Sequence, residues 1–166
     1  MAPPAARTGL SHVDAAGRSR MVDVSGKDVT RREARAEAVV TMSDEAFRAA
    51  RSGDLPKGDL VAVARIAGVM AAKRTSDLIP FCHPLKLTDV DVVITFDESL
   101  PGVRLESLVR CVDRTGTEME ALTACAVAGL TVIDMVKAVD PWTTIEAVRV
   151  TAKSGGASGS RRRRPA

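Results

Sequence analysis

The chain has 166 residues, 45% of them hydrophobic and 27% charged, which is the balance of a folded globular protein of one domain and excludes a mainly disordered chain. Its 24 Lys and Arg against 21 Asp and Glu give a formal charge of +3, but four of the arginines are consecutive, Arg161, Arg162, Arg163 and Arg164. Setting them aside leaves the rest near neutral, so the basic character belongs to a tail and the body has no strongly cationic surface to offer a nucleic acid. Aromatic residues are only 2% of the chain, so the core must be built from Val, Ile, Leu, Ala and Met with closely approaching elements and a share of burial from subunit contacts.

Residues 1–20 mix Pro, Ala, Gly and Ser without periodicity and read as a flexible arm, and residues 21–153 as a single domain. From 35 to 42 the side chains alternate, with Ala36, Ala38, Val40 and Met42 on one face, which predicts a half-buried strand. Ser43 can cap a short helix opened by Asp44 and Glu45 and ended by Gly53. Asp59 can cap a second helix, 60–74, that carries Val63, Ile66, Ala67 and Met70 on one stripe and Lys73 and Arg74 at its end. Residues 75–85 hold Pro80 and Pro84 and should be an extended, packed loop.

Val90, Val92, Ile94 and Phe96 alternate with more polar neighbours in a second strand, and Pro101-Gly102 turns the chain into a third, 103–112, with a bulge expected near Ser107 and Leu108. Thr117 and Glu120 have capping-box spacing, and the helix they open is apolar almost all round until Asp140-Pro141. A last strand at 145–152 completes β-α-β-β-α-β, the α+β, ferredoxin-like order of an antiparallel sheet with helices on one face. Residues 154–166, rich in Gly and Ser before the Arg run, read as a flexible tail.

Charged residues on that last, apolar helix stand out. Asp134 and Lys137 are three apart and share a face, so they form either an ordinary ion pair or a site of tuned protonation. Glu118 and Glu120 suit the first turn of a helix, so on the residues alone a structural and a functional role stay open for both. His83, beside Cys82 in the apolar loop, is by itself more readily a packed imidazole than a ligand; adjacent Cys and His rarely reach one ion, so no metal is expected. Lys57-Gly58-Asp59 precedes a helix start, where free N–H groups and a lysine favour an anion. Lys153-Ser154-Gly155-Gly156 lacks the Walker pattern. Three cysteines without CxxC spacing fit a reducing compartment, and no run of about 20 apolar residues or signal-like N-terminus is visible, so a cytoplasmic protein without a membrane partner is expected.

The segments MVDV from Met21, REA from Arg32, KGD from Lys57, AAKRTSDLIPFCHPL from Ala71, TGTEMEALTA from Thr115, DMVKAV from Asp134 and AKSGG from Ala152 together resemble the MoaC family of cyclic pyranopterin monophosphate synthases, over about 11–159. The resemblance implies a ferredoxin-like protomer in a hexamer of three dimers, with its site at a subunit interface and no cofactor. It implies a phosphorylated, purine-derived substrate, 3',8-cyclo-7,8-dihydroguanosine 5'-triphosphate, rearranged to a cyclic phosphate with loss of pyrophosphate. Carried over by position, Asp134 is the active-site acid and Lys57 and Lys137 the acid-base lysines. Phe81, Cys82, His83, Met119 and Glu120 match substrate-binding positions, and Arg32, Lys73 and Lys153 match cations facing the triphosphate. Phe81 departs from an expected Leu, and the arginine tail is outside the pattern. Two rivals remain open on the residues alone. An RNA-recognition module shares the element order but needs sheet-face aromatics, of which the second and third strands offer only Phe96; a Schiff-base lyase could use Lys137.

Overall fold

The computed structural model describes residues 17–157 and 159–164; most of the expected N-terminal arm lies outside them. The elements are β1 (Thr30–Thr41), α1 (Asp44–Ser52), α2 (Leu60–Ala72), α3 (Thr75–Leu78), β2 (Leu87–Asp97), β3 (Gly102–Asp113), α4 (Glu118–Val136), β4 (Thr144–Ser154) and β5 (Arg161–Arg162). They build one antiparallel sheet in the order β2-β3-β1-β4-β5, whose first four strands have the ferredoxin-like arrangement expected. Helix α4 lies across β1, β3 and β4, and α2 lies on β2 and against α4.

Strand β1 is central. Ala34, Ala36, Ala38 and Val40 point into the core, and the small side chains let α4 settle close to the sheet through Ala121, Ala124, Ala128 and Val132. The strand begins at Thr30, five residues before its alternation becomes legible, because Thr30 to Glu33 pair with β3 through backbone while carrying mostly polar side chains. Its partner β3 runs opposite it without a register shift, and the bulge expected near Ser107 is absent. Ser107 instead occupies an ordinary inward position and donates its hydroxyl to the Ala121 carbonyl at 2.8 Å, which satisfies a polar group in the core. The irregularities fall between Arg35 and Ala36, between Val39 and Val40, and between Leu87 and Asp89.

Helix α1 is capped as its sequence dictates, by Ser43 at one end and by Gly53 at φ +82° at the other. Helix α2 is capped by Asp59 but presents a different face from the one its stripe suggests. Leu60, Ala64, Gly68 and Ala71 are buried, whereas Val63, Met70 and Ile66, the last 60% exposed, point away from the sheet. The helix is apolar all round, and small residues win the inward face because only they admit α4: a Cβ on Gly68 would lie 3.0 Å from the Ala124 carbonyl oxygen.

After α2 the expected extended loop begins with one turn of helix, α3, which ends before Pro80. At the start of α4 the capping box does not form: Thr117 Oγ1 donates to the Val109 carbonyl at 3.3 Å, and no side chain caps the helix. That helix ends at Val136, short of Asp140-Pro141, whose Asp140 carboxylate accepts from the Ser43 and Trp142 N–H groups at 2.7 and 2.9 Å. By length and composition alone Glu118–Val136 could cross a membrane, but here it is the core helix of the fold. Beyond β4, where composition points to an unpaired tail, the chain returns and pairs as β5 along the sheet edge.

Candidate active site

Helices α2 and α4 run antiparallel, so the start of α2 meets the end of α4 and the reverse, and each end carries a group of the expected site residues. At the C-terminal end of α4, one turn of helix brings Lys137 Nζ to Asp134 Oδ1 at 2.8 Å. Lys57, in the loop before α2, reaches the other oxygen, Oδ2, at 2.6 Å and the Asp134 carbonyl at 2.9 Å. Two ammonium groups therefore converge on one carboxylate from the same chain. The cluster is not buried as an apolar helix suggests, since the Asp134 side chain is 52% exposed. The lysines hold its carboxyl well below the usual range, at about 2, Lys137 first and Lys57 second.

At the other end, the loop after α3 and the start of α4 enclose a cavity of about 370 Å³ lined by Phe81, Cys82, His83, Met119 and Glu120. These are all five expected substrate-binding positions. Ile79, Leu85, Thr115, Gly116 and Glu118 complete the lining and were not singled out as ligand contacts from sequence. Glu118 Oε1 accepts from Lys153 Nζ at 2.7 Å, which ties the end of β4 to the cavity. Nearby, Arg32 donates to the Asp113 and Arg114 carbonyls at 2.9 and 3.0 Å and lies where Gly156 leaves room for its guanidinium. Lys73 caps the C-terminal end of α2 at this same end of the fold, exposed and outside the cavity lining.

The two groups do not meet within one chain. Glu120 and Asp134 lie on the same helix about 21 Å apart along its axis. The sequence reading places the site at a subunit interface, and within the protomer the two groups stay apart. Nor does the RNA-module reading gain support, because Phe96 packs edge-on against Phe47 in the core with ring centroids 5.8 Å apart.

Comparison with known proteins places this pattern. Residues 21–156 match the MoaC family. The chain belongs to the MoaC family. Relatives named cyclic pyranopterin monophosphate synthase include one from Methylobacterium sp. (strain 4-46), 56% identical over 151 residues, covering 91% of this chain and 94% of the relative. One from Brucella ovis (strain ATCC 25840 / 63/290 / NCTC 10512) is 55% identical over 150 residues, covering 90% and 91%. One from Roseiflexus sp. (strain RS-1) is also 55% identical over 150 residues, covering 90% and 95%.

In this MoaC chain the cavity has its own electrostatics. Glu120 is only 4% exposed, and its Oε2 has no hydrogen-bond partner among the described residues. Burial pushes its carboxyl up to about 7, with Glu118 adding to the rise against the opposing pull of its own backbone N–H. Burial, and then Glu120, also raise the Cys82 thiol, so Cys82 is not set up as a thiolate nucleophile. No group of three or more His, Cys, Asp or Glu stands in metal-binding proximity among the described residues.

Proposed function

We propose that this chain is a cyclic pyranopterin monophosphate synthase, which converts 3',8-cyclo-7,8-dihydroguanosine 5'-triphosphate to cyclic pyranopterin monophosphate and pyrophosphate, an early step of molybdenum cofactor biosynthesis. The cluster of Lys57, Asp134 and Lys137 carries the reading. Opening and reclosing rings moves protons between carbon, nitrogen and oxygen near neutral pH, and two lysines fixed by one carboxylate can give a proton at one atom and take it at another. Asp134 stays ionised throughout and orients both. Phe81, Cys82, His83, Met119 and Glu120 hold the base end of the substrate, where the buried Glu120 carboxyl lacks a partner that a ligand's polar edge would supply. Arg32, Lys73 and Lys153 face the triphosphate and stabilise charge building on the departing pyrophosphate.

A substrate of this kind cannot span about 21 Å of helix, so the working site joins the cavity of one protomer to the lysine cluster of another. The apolar side chains that α2 and α4 leave exposed, Val63, Ile66, Met70 and Leu130, support such an assembly. Leu130 lies one turn before Asp134, so a partner seated there would also close the exposed lysine cluster from water. The assembly is a hexamer of three dimers, and three free cysteines suit a cytoplasmic enzyme. The purified protein, supplied with the cyclised dihydro-GTP, is expected to release pyrophosphate together with a pterin that fluoresces after oxidation. Absence of both products from a folded, oligomeric preparation refutes the proposal.

A further inference from the structure

The family match ends at Gly156, yet the chain continues and its arginines are not left free of the fold. Gly155 and Gly156, at φ +98° and +68°, reverse the backbone after β4, and β5 then pairs Arg161 with Lys153 and Arg162 with Ala152. The Arg163 N–H donates to the Thr151 carbonyl at 2.7 Å and fixes the strand end. A cavity of about 520 Å³ opens here, with Arg35, Lys153, Arg161 and Arg162 on its walls and Glu33 as its only carboxylate among the described lining residues. Glu33 is already engaged by Arg35 at 3.1 Å and Arg110 at 2.8 Å. Neither Arg161 nor Arg162 has a carboxylate partner among the described residues.

Directly opposed residues of an antiparallel pair place their Cβ atoms about 4.5–5.5 Å apart, and like charges there destabilise the pairing. The Lys153–Arg161 pair is such an arrangement, and an anion between them reverses its sign. Lys153 also pairs at 2.7 Å with Glu118, which lines the other cavity, so one ion pair links the strand end to that cavity.

We propose that the C-terminal strand is a second phosphate-binding wall of the site, in which Arg161, opposite Lys153 and on the same face of the sheet, holds the outer phosphates of the triphosphate substrate and the pyrophosphate product. The proposal rests on the function read above for Lys153. Guanidinium groups suit the task because they grip phosphate oxygens in a planar fork and stay charged at every working pH.

The test uses the full chain with Arg161→Gln, an exposed position whose replacement leaves the core intact. Steady-state kinetics with the cyclised triphosphate are expected to show KM and the pyrophosphate inhibition constant each raised about tenfold, with kcat within about twofold, the loss of one or two charge-assisted contacts. Arg161→Lys should recover most of that loss. A KM and a pyrophosphate constant both within about twofold of the unaltered enzyme overturn the proposal. If the unaltered protein turns over no substrate, the functional reading fails instead. Calorimetric titration of both proteins with pyrophosphate then still decides the tail, equal affinity counting against it.

Discussion

Replacing Glu120 by Gln exchanges a buried carboxyl for a neutral side chain of the same shape and isolates the energetic consequence of its burial. The folded protein holds this carboxyl at about 7, whereas the unfolded chain releases its proton near 4.5. Below 4.5 both states are protonated and the residue has no charge to bury. As pH rises through 4.5 toward 7 the unfolded state ionises first, so stability is lost across that window and levels off above it, at about 3 kcal/mol from roughly 1.4 kcal/mol per tenfold change in proton affinity. Glu120→Gln carries no such penalty. It should match the parent near pH 4.5 and exceed it by up to about 3 kcal/mol at pH 8, a gain in Tm on the order of 6–12 °C for a domain of this size. Urea unfolding of both proteins from pH 4.5 to 8, at one fixed protomer concentration because assembly adds to stability, measures the difference. A gain independent of pH, or a loss at pH 8, refutes the reasoning.

Other substitutions probe the remaining parts. Asp134→Asn removes the carboxylate that holds both lysines while leaving the core untouched, so single-turnover product formation should fall by about 10² or more with little change in Tm; normal product formation would exclude Asp134 from the mechanism. Since Asp134 ionises near 2, its ion pairs persist above the ordinary carboxylate value of 3.8 and fail only as pH falls through about 2, so any acid limb of kcat/KM near neutrality belongs to another group. Gly68→Ala presses a methyl onto the Ala124 carbonyl at 3.0 Å and Val92 at 3.2 Å, and should cost about 1–3 kcal/mol by denaturant titration. Ser107→Ala strips the hydroxyl from the Ala121 carbonyl and should cost about 1 kcal/mol in the same measurement.

What could be read from sequence was mainly what neighbours in sequence decide. The Ser43 cap, the Gly53 terminus and the alternation of β2 are local, and each stands where it was expected. Where two physical demands competed, local pattern lost. Thr117 and Glu120 have the spacing of a capping box, but the Thr117 hydroxyl satisfies a buried Val109 carbonyl and Glu120 turns toward the cavity. The stripe on α2 named the large apolar residues, although approach to α4 favours Ala64 and Gly68 on the inward face. The spacing of Asp134 and Lys137 foretold their pair, whereas the arrival of Lys57, 77 positions away, depends on antiparallel packing that no local pattern encodes. The tail composition pointed to disorder because side chains were weighed and backbone pairing was not: β5 is held by the edge of β4.

A mixing experiment addresses most directly whether one protomer's cavity works with another's lysines. His83→Ala and Asp134→Asn are each expected to be nearly inactive alone. Co-assembled in equal amounts, they leave half of the two-fold dimers mixed, and each mixed dimer carries one intact composite site. Activity should therefore return to about a quarter of the parent level. Activity no higher than the two separate variants supply would mean that each protomer works alone, and would contradict a site built between copies.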